Sequence, residues 1–221
     1  MKGAAIMYKC ILCNHETQAF RHEKFDVTYY RCFHCELISK DSKDFVSEDE
    51  ALKIYNYHNN AIEDSRYVAY FNHFLEDSVF DYTNEGKKAF DFGSGPSPVL
   101  AQILERHYGY DVDIYDLFYA PDKVYENQKY DLVTTTEVVE HLENPLPYFE
   151  LFASLLKPDG VLAVMTQFHK NDDDLFLNWH YMRDMSHISF YTPKTMAYIA
   201  SKVGLKVVYT DGNRYTTFRQ L

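Results

Sequence analysis

All four cysteines of the chain lie within its first 35 residues, as Cys10-Ile-Leu-Cys13 and Cys32-Phe-His-Cys35. Two residues between cysteines let one tight turn offer both sulfurs to one ion, and two such turns complete a tetrahedron. The 18 residues between the pairs fall in the range of four-thiolate zinc sites. Cys10, Cys13, Cys32 and Cys35 are therefore the candidate ligands of a structural zinc. Such a site is closed, so no reaction is expected at the metal. A disulfide pair or a redox pair are the competing chemistries. The first is disfavoured because the stretch before the cysteines is too short for a signal peptide.

A second constellation spans residues 88–98, Lys-Ala-Phe-Asp91-Phe-Gly93-Ser-Gly95-Pro-Ser-Pro. An apolar run enters it and a helical pattern leaves it. This is the strand, turn and helix N-terminus that cradles a nucleotide-like cofactor. A Cβ at Gly93 or Gly95 would keep ligand atoms off the backbone. Asp91 stands at the strand end, where a carboxylate reaches into the crevice. No glycine occupies position 98, so the full dinucleotide fingerprint is absent. Asp116 closes a second short strand 23 residues after Gly93, near the spacing of an acid that bonds a ribose hydroxyl pair. A third strand, Tyr130-Asp-Leu-Val-Thr-Thr-Thr136, is β-branched and runs into Glu137-Val-Val-Glu140-His141-Leu.

These segments, with Leu156-Lys-Pro-Asp-Gly-Val-Leu162, resemble class I S-adenosylmethionine-dependent methyltransferases over roughly residues 85 to 221. The resemblance implies S-adenosylmethionine as cofactor. It implies that Asp91, Gly93 and Gly95 hold the methionine part, that Asp116 holds the ribose, and that Thr136 and Glu137 sit beside the sulfonium. Two departures stand out. Ser97 occupies the place of a usual third glycine. Only 14 residues separate Asp116 from Asp131, too few for the helix, strand and loop most members place there. One edge strand is therefore expected to be lost, and the adenine contacts are unassigned.

The elements that must position these residues follow from periodicity. Strands are expected over 27–31 and 36–39, which makes the cysteine module a zinc ribbon. Ser47 and Glu50 form a capping box for a helix to about Asn59. A second helix over 65–80 carries Tyr67, Tyr70, Phe71, Phe74 and Leu75 at helical spacing. Then come strand 88–92, helix 97–107, strands 112–116 and 131–136, helix 145–156 and strand 160–166. Helix 193–203 starts at Thr192-Pro193 and stops at Gly204. Strands over 205–210 and 215–220 flank Asp211-Gly-Asn-Arg214, a hairpin turn. The expected fold is α/β: a Rossmann-like methyltransferase sheet, mostly parallel with an antiparallel C-terminal hairpin, plus a small N-terminal zinc ribbon. The expected domains are the ribbon at 1–42, a helical linker or cap at 43–84 and the Rossmann-like domain at 85–221. The ribbon alone is too small to bury a core and would rely on its metal.

Methyl transfer from a sulfonium is an in-line displacement that needs an aligned nucleophile, dry surroundings and often a base. Glu137, Glu140 and His141 are candidates, and a helix starting near Glu137 would put them on one face. The segment 176–191 follows the last parallel strand and carries the only Trp, with His180 and His187, among aromatics. It suits a pocket wall, with both histidines as candidate bases. Glu137, Glu140, His141 and His187 together resemble the Glu-x-x-Glu-His plus distant His set of small-RNA terminal 2′-O-methyltransferases. That likeness implies a divalent ion, magnesium or manganese, on the acceptor oxygens.

The 221 residues carry a formal charge of −11, which argues against a large nucleic-acid footprint. Hydrophobic residues at 46% suffice for a core, and no apolar run approaches membrane length. A soluble cytoplasmic protein without a membrane partner is the expectation. Three functions are in play. The first is a methyltransferase acting on a small-molecule acceptor, at oxygen. The second is a metal-assisted RNA or nucleotide 2′-O-methyltransferase. The third is a zinc-ribbon binding module whose Rossmann part no longer catalyses. The acceptor and the oligomeric state are not encoded in any pattern found.

Overall fold

The computed structural model describes residues 8–56 and 62–221. The end of the helix expected to reach Asn59 lies outside the described residues. The described chain opens with three strands, β1 (Thr17–His22), β2 (Val27–Cys32) and β3 (Ile38–Lys40). Helices α1 (Glu48–Asn56) and α2 (Ser65–Ser78) follow. The main sheet is built from β4 (Lys88–Phe92), β5 (Asp111–Tyr115), β6 (Tyr130–Thr136) and β7 (Leu156–Met165), with α3 (Val99–Tyr108) and α4 (Pro145–Leu155) between them. Short α5 (Asp173–Leu177), two-residue β8 (Ser189–Phe190) and α6 (Pro193–Lys202) lead to the final hairpin, β9 (Leu205–Thr210) and β10 (Tyr215–Gln220).

Six strands run in the order β5-β4-β6-β7-β10-β9. The first four are parallel, and β10 pairs antiparallel with both β7 and β9. This is the expected mostly parallel sheet with an antiparallel end. No strand pairs with the outer side of β5 among the described residues, in keeping with the short 116–131 connection.

Strand alternation explains the layers. Ala89, Leu132, Val161, Ala163 and Met165 face the α2–α3 side, where Phe71, Phe74, Leu75, Ile103 and Leu104 cover them. Their neighbours Phe90, Val133, Leu162 and Val164 face α4 and α6 through Phe149, Phe152, Met196 and Ile199. Strand β7 begins at Leu156 rather than near 160, because Pro158 and Asp159 ride in it as a bulge: the pairing jumps from Tyr130–Leu156 to Leu132–Val161. Gly160 sits at that bulge, where a Cβ would come within 2.8 Å of the Tyr130 carbonyl oxygen.

The ribbon does not stand on its own core. Its sheet runs β1-β2-β3-β8, so the fourth strand comes from beyond the main parallel sheet. Ile38 pairs with Phe190 and Ser39 with Ser189. Val27, Tyr29 and Ile38 share a cluster with Phe176, Tyr181, Met182 and Phe190. Cys10, Leu12, Cys32, Cys35 and Leu37 belong to the same cluster as Phe149 and Met196. Burial of that shared surface supplies what a free ribbon lacks.

The buried Phe176 ring is the centre of this junction, 5.0 Å from the ring of Tyr29 and 4.9 Å from that of Phe190. Truncation by Phe176→Ala is expected to cost about 3–5 kcal/mol, read by urea unfolding with Trp179 fluorescence. A loss below about 1 kcal/mol would show that ribbon and main domain do not share a core.

Candidate active site

The cofactor loop lies between β4 and α3. Gly93 and Gly95 both have positive φ, 85° and 69°, the left-handed region that favours glycine. Their reasons differ. A Cβ on Gly93 would run into the Val138 side chain, so the packing of the loop after β6 by itself demands a glycine here. A Cβ on Gly95 would meet nothing within 4 Å, so here the backbone faces open space. Asp116 clasps the loop. Its Oδ2 accepts from the Gly95 N–H at 2.9 Å, and its Oδ1 accepts from the Phe118 and Tyr119 N–H groups. Oδ2 keeps a lone pair for a further donor.

Asp91, next to last in β4, is buried, with Thr134 Oγ1 donating to its Oδ1 at 2.8 Å. Burial raises its pKa to about 7, and the Asp116 charge adds to the rise. A carboxylate held this way favours a cationic ligand group beside it.

Beside that loop, β6 delivers Thr136 and then Glu137. The chain does not enter a helix here, contrary to expectation. Glu137 takes φ 54° and a single 3-10 turn follows over Val139–His141. The sharp bend throws the Glu137 side chain back over the sheet, while its N–H donates to the Met165 carbonyl at 2.8 Å. Tyr70 of α2 donates to Glu137 Oε1 at 2.7 Å. The Tyr181 hydroxyl faces Glu137 Oε2 at 2.9 Å and Glu140 Oε1 at 2.5 Å. One phenol proton serves only one of these carboxylates, so the other must carry a proton and donate to the phenol oxygen. Burial, then the neighbouring Glu140, raises Glu137 to about 7. Burial raises fully enclosed Glu140 as well, partly offset by Tyr181.

The two histidines stand behind Glu140. His141 Nδ1 lies 3.1 Å from the Ser186 carbonyl and His187 Nδ1 lies 2.8 Å from the Tyr181 carbonyl. A carbonyl needs a donor, so both Nδ1 atoms carry a proton, and His187 Nε2 lies 3.8 Å from Asp184 Oδ2. Burial, then the adjacent His141, lowers His187 to about 3. Ligand atoms of Glu140, His141 and His187 lie within 4.8 Å of one another. Glu137 is not in this group, since Tyr70 and Tyr181 occupy its oxygens. His180 is exposed and also stays outside it. Tyr70, Tyr181 and Thr134 are the partners that sequence patterns missed. Periodicity marks Tyr70 only as part of an apolar helix face.

The four thiols fit a tetrahedral ion. Cys10 and Cys35 sulfurs are 3.6 Å apart, Cys13 and Cys32 sulfurs 3.3 Å, and all four lie within 4.8 Å. Zinc–sulfur bonds of about 2.3 Å imply edges near these lengths. Both knuckles fold alike. The Asn14 N–H donates to the Cys10 carbonyl and the Glu36 N–H to the Cys32 carbonyl, with Asn14 and Glu36 at positive φ.

Fold and loop geometry together define a Rossmann-like methyltransferase architecture. Residues 65–210 match the family model described as a methyltransferase domain, which is more than half of the chain. The chain belongs to that family, the class I S-adenosylmethionine-dependent methyltransferases. No match was found among curated proteins. Three solved structures share the fold. Mitomycin 7-O-methyltransferase MmcR superposes with TM-score 0.59 at 14% identity, over 79% of this chain and 59% of that one. An O-methyltransferase family protein from Burkholderia thailandensis gives 0.53 at 15% identity, over 72% and 60%. Streptomyces venezuelae DesVI gives 0.52 at 14% identity, over 80% and 99%. The chain thus spans less than two thirds of the first two. No helix among the described residues is long and apolar enough to cross a membrane.

Gly93→Ala is expected to cost about 2–4 kcal/mol, from positive φ and overlap with Val138. Adding Val138→Ala should recover part of it, whereas Gly95→Ala should lose only about 1–2 kcal/mol; urea titration decides. The pH dependence has a defined sign. The Asp91 and Glu137 carboxyls sit at about 7 when folded, against ordinary values of 3.8 and 4.5. Between about pH 4 and pH 7 the folded protein holds protons that the unfolded chain has released, so their contribution to stability falls as pH rises. Melting curves of the Asp91→Asn, Glu137→Gln double variant should gain on wild type from pH 5 to pH 8, and parallel curves would contradict the assignment.

Proposed function

We propose that this protein transfers a methyl group from S-adenosylmethionine to an oxygen of a small-molecule acceptor, with Glu137 as the base. The observation that carries the reading is the Glu137–Tyr181–Glu140 set, at the carboxyl end of β6 beside the cofactor loop. A carboxyl near 7 suits proton removal from a hydroxyl at neutral pH. The names of the neighbouring mitomycin and Burkholderia thailandensis proteins support an oxygen acceptor. In this reading Asp91, Gly93 and Gly95 bind the methionine part of the cofactor, Asp116 its ribose, and Thr136 lies near the sulfonium. The cofactor supplies the activated methyl group. Asp91 pairs with its ammonium, Glu137 takes the acceptor proton, and Tyr70 and Tyr181 hold Glu137 in place. The half-buried Tyr55 of α1, its ring 5.1 Å from that of His141, helps exclude water.

A divalent ion is a second reading, favoured by one orphan atom: Glu140 Oε2 is buried with no hydrogen-bond partner. With His141 and His187 nearby it forms a carboxylate–imidazole group, a donor set that suits manganese better than magnesium. An ion there would lower the pKa of an acceptor hydroxyl. The acidic chain does not favour a nucleic-acid acceptor. For the ribbon we propose one structural zinc on Cys10, Cys13, Cys32 and Cys35.

Calorimetry should show S-adenosylhomocysteine binding that weakens in Asp116→Ala; no binding, or no difference, would refute the cofactor assignment. Once an acceptor is in hand, Glu137→Gln should slow transfer by about 10²–10⁴-fold. Elemental analysis is expected to find one zinc per chain, lost in Cys10→Ser and kept in Glu140→Gln. Manganese titration followed by spin resonance should lose its bound signal in Glu140→Gln alone.

A further inference from the structure

A cavity of about 290 Å³ opens between the segment after β7 and the β9–β10 turn, outside the residues assigned above. Lys170, Trp179, Asp211, Asn213 and Arg214 line it. The turn is clamped in place. The Thr166 N–H donates to the Arg214 carbonyl at 3.0 Å, and the Phe168 N–H to the Asn213 carbonyl at 2.8 Å.

The charges of this cavity are unbalanced. The Arg214 guanidinium lies over the rings of Tyr70 and Tyr215, 6.0 and 5.9 Å from their centres. No carboxylate pairs with it among the described residues. The Lys170 ammonium donates only to Asn213 Oδ1, at 3.2 Å. Asp211 is the one acid in the lining. Its Oδ1 already accepts from the N–H groups of Asn213, Arg214 and Tyr215. Two cations against one acid held by turn amides is unusual for a chain of charge −11.

The cavity also shares its walls with the candidate base. Trp179 packs on Tyr181 with ring centres 5.0 Å apart, and Arg214 sits over Tyr70. Those two tyrosines are the ones whose hydroxyls meet Glu137. The cavity therefore lies one tyrosine ring away from the base. We propose that it is the outer subsite of the acceptor, and that it takes the carboxylate of a flat aromatic acid. Arg214 supplies the planar, bidentate donor pair for that carboxylate, Lys170 adds a second charge, and the Trp179 indole covers the ring. The inference rests on the methyltransferase reading for the word acceptor, but the binding it describes does not.

The test uses the chain's single tryptophan, which lines the cavity. 4-Hydroxybenzoate and 4-hydroxybenzamide differ only in the charged group. The acid should change Trp179 fluorescence saturably. The amide should bind about tenfold or more weakly, as for loss of a charge-assisted pair. Arg214→Gln should erase most of that preference, and Lys170→Gln should reduce it less. Calorimetry on the same samples covers a silent fluorophore. Equal binding of acid and amide, or no saturable binding of the acid by either method, overturns the proposal on wild-type protein with no variant needed. S-adenosylhomocysteine binding, measured in parallel, separates the two readings. If it binds and the acid does not, the subsite fails and the methyltransferase reading stands. If the acid binds and it does not, the anion site stands alone.

Discussion

The site depends on a single phenol placed between two buried carboxylates. Glu137 and Glu140 meet the same Tyr181 hydroxyl, whose one proton serves only one of them, and two like charges so close disfavour each other. The pair must share a proton, and that requirement sets the protonation of everything around it. It keeps Glu137 poised near neutrality instead of fully ionised. It also makes the position of Tyr181 critical, since a carboxylate left without that hydroxyl would be buried and unsatisfied. Segment 166–192 is therefore under tight positional demand even though little of it is regular structure.

The ribbon meets that demand. Strand β3 pairs with β8, two residues after His187. Lys40 brackets His187 from both sides: its backbone N–H donates to the Ile188 carbonyl at 2.8 Å and its ammonium to the Met185 carbonyl at 2.7 Å. Arg31 reaches the start of the same segment, donating to the Asn171 carbonyl at 3.0 Å and pairing with Asp173 at 2.6 Å. Glu36, in the second cysteine knuckle, accepts from Thr192 Oγ1 at 3.0 Å, and Thr195 Oγ1 donates to the Cys35 carbonyl at 2.9 Å. The knuckle thus fixes the N-terminus of α6. A long irregular segment has high conformational entropy, and these long-range bonds are what offset it.

The legible parts of the sequence were those governed by local rules. The hairpin at 205–220 was readable from turn chemistry, and β4 from an apolar run ending in glycine. The Ser47–Glu50 capping box is present, with the Ser47 N–H donating to Glu50 Oε2 at 3.0 Å. The cysteine spacing gave the knuckles directly. What stayed hidden was non-local. β8 is two residues long and exists only because β3 lies alongside, so no window in the sequence contains its cause. The helix expected at Glu137 failed because the Glu137 bend at positive φ depends on Met165 of a neighbouring strand. The packing demand on Gly93 was hidden for the same reason, since Val138 stands 45 residues away in the chain and only the fold brings it there.

The same distinction bears on how the site is assembled. The proposed cofactor side is made of consecutive strand ends, β4, β5 and β6, so its residues arrive in chain order and could be read as a motif. The proposed acceptor side is made of Tyr70 from α2, Tyr55 from α1, Tyr181 and Trp179 from the irregular segment, and Arg214 from the last turn. Each part is held by a different partner, and the ribbon holds the part with the least structure of its own. In that proposal the cofactor side rests on the sheet and its loops, whereas the shape of the acceptor side depends on contacts between sheet, ribbon and N-terminal helices. A change in the ribbon that loosens β3 against β8 would move Tyr181 and His187 without touching Asp91, Gly95 or Asp116. In the proposed reading the ribbon therefore belongs to the acceptor half of the site, because it holds the segment that carries Tyr181 and His187.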